Sequence, residues 1–281
     1  MLNIIASDLF RVRKGKTFIG VTIGIVALVV LIAAIFGIMN TPGVYDGLMS
    51  QSGLINAGDA QDMTDMIAIM PKNGGEFVNM FFAEGADIFA LLLLPFVITV
   101  IGADYSTGAF RNLLSYHSKR SSIYIAKAVT TFLLTMVSAV LYAVLTCLSG
   151  GLVFGFSGFS LALFGQVVKG LLFMMPIVAG LTALGYCLMV VLKKTSYTIA
   201  AYLVGMIVWT MVLQIFAMLI PGMNWLMQLD LMSALGIAAE VAAGTAASSS
   251  LMIPMIFSVV LLVGCTVFGI YRYKTTDFDF S

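Results

Sequence analysis

Few residues in this chain have side chains suited to catalysis or to metal binding. The sole histidine is His117, and no second metal ligand lies near it in the sequence, so a metal site is not expected there. The tripeptide Gly15-Lys16-Thr17 matches the end of a phosphate-binding loop. That motif needs another glycine five residues before Gly15, where this chain has Phe10. The sequence therefore predicts neither a catalytic residue nor a nucleotide-binding motif.

Ionisable side chains are almost absent from the long apolar stretches. None occurs between Ala128 and Gln166, between Gly170 and Leu192, or between Leu251 and Ile270. Ion-coupled carriers and charged channel filters depend on such groups inside the membrane, so both classes are disfavoured. No polar group in these stretches stands out as a substrate ligand, and the substrate-binding residues stay unknown. Three cysteines in apolar surroundings are interpreted as small buried side chains: Cys147, Cys187 and Cys265.

Residues 104–127 form the one stretch whose charges indicate binding. Apolar segments long enough to cross a membrane flank it on both sides. It carries four basic residues against a single acid, Asp104, and this excess predicts a cytoplasmic location. The basic residues are Arg111, Lys119, Arg120 and Lys127.

A short amphipathic helix is predicted within residues 104–127. Phe110, Leu113 and Leu114 fall on one helical face, with Arg111 on another. Apolar side chains on such a helix suit a groove on a protein partner, and its cations suit acids there. The alternative is a connecting loop whose basic residues only anchor the neighbouring spans.

The composition predicts an all-α integral membrane protein with a single membrane domain, residues 1–281. The chain is 61% hydrophobic and 10% charged, whereas a soluble domain has about a quarter charged residues. Six transmembrane helices are expected, with both termini on the basic, cytoplasmic side. The predicted spans are residues 18–39, 81–103, 128–148, 166–192, 197–220 and 251–270.

Three further segments connect or precede these spans. Residues 1–17 are predicted to form a helix in the cytoplasmic membrane interface, because its apolar side chains recur on one face: Leu2, Ile5, Leu9 and Val12. An ordinary basic flank of the first span is the alternative. Residues 40–80 are polar and are expected to be extracellular. Residues 221–250 are weakly polar and suit a short re-entrant helix in the outer leaflet more than a free loop.

Residues 104–127 resemble the cytoplasmic signature of ABC-2 type ABC transporter permeases. That family has an acid after the second span, then Gly-Thr, a basic residue, a Leu-Leu pair, a turn with Ser or Pro, an Arg, an aromatic residue and a Lys. The matching positions are Asp104, Gly108, Arg111, Leu113, Leu114, Ser118, Arg120, Tyr124 and Lys127. This chain differs in having Asp104 for the usual Glu, Ala109 for Thr, and His117 where Pro is common.

The resemblance implies a permease half in a bacterial plasma membrane. Such a subunit pairs with a second permease half and docks a separate ABC ATP-binding subunit, which holds ATP and Mg while this chain binds no cofactor. The implied coupling residues are Asp104, Gly108, Phe110, Arg111, Leu113, Leu114, Arg120 and Lys127. Small permeases of this type export antimicrobial peptides or drugs, so the implied substrate is amphipathic, peptide or lipid-like.

A second hypothesis is a membrane protein that binds a peptide or a regulator without transporting it, as an immunity or sensory subunit does. Membrane lipid surrounds the chain under either hypothesis, and nucleic acid is not an expected partner because the basic residues are spread over several short loops. The two hypotheses differ at residues 104–127. A transporter needs an ATPase there, and a binding protein does not.

Overall fold

A computed structural model of the chain describes residues 2–14, 16–39, 41, 71–82, 85–86, 102 and 120–275. Over these residues the protein is helical and contains no β-strand, which confirms the predicted all-α class for this part of the chain. The helices are α1 (Leu2–Lys14), α2 (Lys16–Met39), α3 (residues 74–82), α4 (Arg120–Phe154), α5 (Leu161–Leu192), α6 (Thr195–Leu219), α7 (Leu231–Ala243) and α8 (Met252–Thr275). Short 3₁₀ helices precede α7 and α8, at Asn224–Leu229 and Ser248–Leu251.

Within the described residues, four helices are long and apolar enough to cross a membrane. They are α4, α5, α6 and α8 together with the 3₁₀ turn before it, and they indicate a membrane protein. They overlap the last four predicted spans, although α4 begins at Arg120 and not at Ala128. The first predicted span coincides with α2, whose apolar part is Thr22–Ile38. Most of the second, residues 81–103, lies outside the described residues.

The contacts between helices fix their relative directions. The short turn at residues 155–160 folds α4 and α5 into an antiparallel pair. A close contact joins Gly180 of α5 to Ser258 of α8, and farther along both helices the side chain of Cys187 lies near that of Cys265. Gly180 precedes Cys187 in α5, just as their partners Ser258 and Cys265 follow one another in α8, so α5 and α8 are parallel. The chain therefore returns along α6 before α8 begins.

Helix α3 packs on the turn between α4 and α5. The backbone N–H of Gly75 donates to the Ser157 carbonyl at 3.3 Å. The ring of Phe77 stacks on Phe154, with 5.0 Å between centroids. A Cβ at Gly74 would collide with the Gly155 carbonyl, so a glycine there permits the close approach. These contacts cover the end of α4 that is opposite Arg120.

The segment predicted at residues 221–250 contains helix α7, which packs mainly on α5. Its buried face consists of Leu231, Ala234, Leu235, Ala238, Ala239 and Ala242. Asp230 caps the helix: its Oδ1 accepts hydrogen bonds from the Met232 N–H and the Thr210 hydroxyl, and its Oδ2 accepts one from the Ser233 hydroxyl. The carboxylate thus joins α7 to α6 and satisfies the first turn of α7.

Replacing Asp230 with alanine is expected to lower the free energy of unfolding by about 1–2 kcal/mol, because α7 loses its cap and the half-buried Thr210 hydroxyl loses its acceptor. The measurement is denaturant unfolding of the purified chain in detergent, followed by far-ultraviolet circular dichroism. Asp230→Asn is the matched control, since asparagine caps helices about as well as aspartate and should cost less. An alanine variant as stable as the wild type would contradict the capping role.

Candidate functional site at the start of helix α4

Two of the eight residues predicted to contact an ATP-binding subunit lie in the described part of the chain. Arg120 and Lys127 occupy the first turns of α4, so the end of the 104–127 segment is continuous with this helix. The other six lie outside the described residues: Asp104, Gly108, Phe110, Arg111, Leu113 and Leu114. The described part of the site therefore consists of the start of α4 and the residues that contact it.

Lys127 forms a buried ion pair with Asp8 of α1. The Lys127 Nζ lies 2.7 Å from the Asp8 Oδ1, and the two side chains are only 6% and 9% exposed. An ammonium and a carboxylate removed from water are tolerated when each has the other as a close partner. The Lys127 side chain therefore makes a contact within the chain, and this contact fastens the N-terminal helix to α4.

The face of α1 that packs on the protein differs from the apolar face predicted for residues 1–17. Ile4, Asp8 and Val12 are buried, which are positions one helical turn apart. Leu9 of the predicted apolar face is 36% exposed and Ile5 is half-buried, which is compatible with an apolar face that lies in lipid. The difference arises because α1 turns Asp8 toward Lys127. Burial of the ion pair, and not apolarity alone, sets the orientation of this helix.

Arg120 connects the start of α4 to the end of α8. Its Nη1 donates a hydrogen bond to the backbone carbonyl of Lys274 at 3.3 Å. Since Asp8 contacts Lys127 two turns farther along α4, the N-terminal and C-terminal helices lie at the same end of α4. Helix α4, which follows residues 104–119, is thus held by both the N-terminal helix α1 and the C-terminal helix α8.

Three buried tyrosines complete the junction of α4, α5 and α8. The ring of Tyr124 lies 4.7 Å from that of Tyr186 and 5.9 Å from that of Tyr273, measured between centroids. Its hydroxyl donates to the Cys265 carbonyl at 3.3 Å. A Cβ at Gly269 would collide with this hydroxyl, so glycine makes room for Tyr124. Close aromatic packing of this kind resists relative movement of the three helices.

A stripe of buried hydroxyl groups follows α4 from Lys127 toward its other end, and sequence analysis missed it. The spacing of three or four residues places these hydroxyls on one helical face, and over the roughly 33 Å from Lys127 to Ser149 the stripe is about as long as a membrane is thick. Its members are Thr131, Thr135, Ser138, Tyr142, Thr146 and Ser149. The recurrence of hydroxyl-bearing residues every three or four positions is visible in the sequence.

The hydrogen bonds of this hydroxyl stripe indicate a packing role. The threonine and serine hydroxyls donate to carbonyls of their own helix, as Thr131 does to the Lys127 carbonyl at 2.7 Å. Tyr142 instead donates to the Phe81 carbonyl at 2.8 Å, which joins α4 to α3. Small hydroxyl-bearing residues let membrane helices approach closely while each hydroxyl keeps a partner.

Among the described residues, three apolar cavities of appreciable size separate the helices. One of about 600 Å³ lies between α4 and α5, beside Cys147 and Phe164. A second of about 320 Å³ lies between α4, α5 and α8, beside Tyr124 and Thr182. A third of about 350 Å³ lies between α5, α6, α7 and α8, beside Tyr202. The lining residues that the structure describes suit apolar molecules and include no charged side chain.

The described residues at the start of α4 are joined by noncovalent contacts. In the described ranges, no group of three or more His, Cys, Asp or Glu side chains is placed to hold a metal ion. The junction can transmit force between helices, since an ion pair, hydrogen bonds and closely packed aromatic rings join α1, α4, α5 and α8. Comparison of the chain with protein-family models, curated proteins and solved structures found no match in any of the three.

Proposed function

We propose that this chain is the membrane-spanning permease subunit of an ATP-driven ABC transporter. It uses a separate ATP-binding subunit, which holds ATP and Mg, and it pairs with a second permease half. The substrate class we assign is amphipathic, peptide or lipid-like, with export across a bacterial plasma membrane. The observation that carries the proposal is the connection of the start of α4 to Asp8 of α1 and to Lys274 of α8.

This connection suits the transmission of force. A partner that pushes on residues 104–119 moves the start of α4, because the two are continuous in sequence. The buried Asp8–Lys127 pair then carries α1 along, and the Arg120 hydrogen bond carries the end of α8. A buried ion pair and closely packed aromatic rings have few alternative arrangements, so the helices move as a unit. A loop that only anchored two spans would not need such fastening.

Six transmembrane helices with both termini in the cytoplasm are part of the proposal. Support comes from the location of Asp8 and Lys274 at one end of α4, since a chain with both termini on one side brings its first and last helices together there. The parallel arrangement of α5 and α8 agrees with α6 as the returning span between them. The positive-inside rule then orients that end toward the cytoplasm.

The test is to purify the tagged full chain in mild detergent from its native membrane and to identify the associated proteins by mass spectrometry. A near-stoichiometric P-loop ATPase is expected with the wild type. The combined change Arg111→Ala and Leu114→Ala should abolish its recovery, because it removes a cation and an apolar side chain from the predicted contact helix. Arg120 is left unchanged, since its side chain also holds α8.

Lys194→Ala is the matched control, because Lys194 is an exposed cation that follows α5 at the same end of the bundle. It should recover the ATPase as the wild type does. Folding of each variant is checked by circular dichroism. Intact wild-type protein without any ATPase would overturn the permease proposal and favour the hypothesis of a membrane-bound binding or sensory protein. Equal recovery from both variants would place the ATPase contact elsewhere.

A further inference from the structure

Three exposed cations lie at the end of the bundle where α5 and α8 end, and they are here called the basic patch: Lys193, Arg272 and Lys274. The two contacts that show α5 and α8 to be parallel also set the register of these helices. The same register places Lys193, which directly follows α5, beside the last turn of α8, where Arg272 and Lys274 lie. The charges of two helix ends therefore converge on one part of the surface.

The backbone of Lys193 has a conformation that favours glycine. Its φ angle is 56°, and in the described part of the chain no other residue except glycine has a positive φ. The backbone N–H of Lys193 donates to the Met189 carbonyl at 2.9 Å, which ends α5. A glycine would end the helix with less strain. A lysine in this place points to a use for its charge.

The described residues near the basic patch supply little negative charge. Of the acids that the structure describes, Asp8 alone lies at this end of the bundle, and it is paired with Lys127. The C-terminal ends of α5 and α8 contribute about half a negative elementary charge each. Arg120, whose guanidinium donates to the Lys274 carbonyl, adds a further positive charge. The patch therefore attracts an anion from outside the described residues.

The surface that borders the basic patch is apolar. Leu192 precedes Lys193 and is exposed, and on α8 Phe268 and Tyr271 are 51% and 64% exposed. In a membrane protein such apolar side chains face lipid, and exposed tyrosines lie at the level of the headgroups. The cations thus lie where the hydrocarbon of the bilayer ends. An anion found at this level, next to exposed hydrocarbon, is the phosphate of a phospholipid.

We propose that the basic patch binds one anionic phospholipid from the leaflet at this end of the bundle. Its phosphate lies between Lys193 and Arg272, and its acyl chains lie against Leu192 and Phe268. Lysine binds phosphate as a point charge and arginine through paired N–H groups. A zwitterionic headgroup is less suited, because its own cation is repelled by the patch. This inference goes beyond the proposed function, since binding here requires neither an ATP-binding subunit nor a second permease half.

The experiment is native mass spectrometry of the purified full chain in a nonionic detergent, which counts the lipid molecules bound to each protein. The probes are dioleoyl phosphatidylglycerol, which is anionic, and dioleoyl phosphatidylcholine, which has the same acyl chains and no net charge. Saturable binding of one phosphatidylglycerol is expected, about tenfold tighter than phosphatidylcholine. Excess inorganic phosphate should not displace it, because phosphate has no acyl chains. Displacement would assign the patch to a soluble anion and overturn the lipid proposal.

Two substitutions test the assigned contacts. Arg272→Gln should weaken phosphatidylglycerol binding about fivefold, as expected for one cation near a membrane surface, and the addition of Lys193→Gly should weaken it about fivefold more. Glycine suits the left-handed backbone at position 193, so this change should not lower the thermal stability measured by circular dichroism. Lys169→Ala is the matched control, because it removes an exposed lysine near the start of α5, away from the patch.

Lys169→Ala should bind phosphatidylglycerol as the wild type does. Equal affinity of the wild type for the two lipids would overturn the proposal, as would an affinity for phosphatidylglycerol that the double variant retains. Absence of binding to the wild type would overturn it as well. That result is expected if carboxylates that follow α8 in the sequence, those of Asp277 and Asp279, neutralise the patch in place of a lipid.

Discussion

Replacing Lys127 with alanine is expected to lower the free energy of unfolding by about 3–5 kcal/mol. The Asp8 carboxylate would stay buried while losing the ammonium group that lies 2.7 Å from its Oδ1. Removing one member of a buried ion pair costs more than the pair itself contributes, because the remaining charge keeps its desolvation penalty. The measurement is unfolding of the purified chain by added SDS in mixed micelles, followed by far-ultraviolet circular dichroism.

Two controls separate this effect from the loss of any lysine. Lys169→Ala removes an exposed lysine from α5 and should change stability by no more than about 0.5 kcal/mol. The double variant Asp8→Asn with Lys127→Met removes both charges and should recover most of the loss, since a neutral buried pair has no uncompensated charge. If Lys127→Ala is as stable as Lys169→Ala, the ion pair does not hold α1 on α4.

The ion pair also shows where sequence-based prediction reaches its limit. The excess of basic residues in 104–127 indicated Lys127 as a contact residue, and the apolar run after it predicted a long helix there. The pairing of Lys127 with Asp8 could not be predicted, because Asp8 is 119 positions away in the sequence and no local periodicity relates the two residues. The burial of Asp8 on the protein-facing side of α1 depends on that partner, so the pattern of apolar residues in α1 could not predict it.

The start of α4 illustrates the same limit. Apolarity alone placed the third span from Ala128 onward, whereas the helix begins at Arg120. The polar and charged side chains of residues 120–127 are accommodated in the helix because Arg120 donates a hydrogen bond to the end of α8 and Lys127 forms an ion pair with Asp8 of α1. Tertiary partners, and not composition, determine how far a helix extends beyond its apolar run.

Other features of the structure were within reach of the sequence. The hydroxyl stripe of α4 repeats every three or four residues from Thr131 to Ser149, a pattern that predicts one polar face on a helix. Asp230 directly before the apolar Leu231–Ala243 segment is a helix-capping signal. The cavity between α5, α6, α7 and α8 was not predictable, because its walls come from four helices whose contacts are not visible in the sequence.

Replacing Gly180 with leucine is expected to destabilise the protein by about 3 kcal/mol, because α5 and α8 are in backbone contact at this point. A Cβ at Gly180 would lie 2.7 Å from the Ser258 carbonyl oxygen and 3.0 Å from the Ser258 Cα. Neither atom is the end of a flexible side chain, so the larger residue can be accommodated only if the two helices separate. Unfolding in SDS mixed micelles measures the loss.

Gly165→Leu is the matched control, since it is the same change in the same helix at a position where a Cβ meets nothing within 4 Å. It should be neutral or slightly stabilising, because leucine favours a helix more than glycine does. The native thiols of Cys187 and Cys265 report the spacing of α5 and α8 directly. In a Cys147→Ala background, a short bifunctional thiol reagent should join them in the wild type and in Gly165→Leu, but much less in Gly180→Leu. Equal cross-linking in all three would mean that the spacing of α5 and α8 does not depend on the close contact at Gly180, whereas a wild type that is not cross-linked would contradict the parallel pairing of these helices.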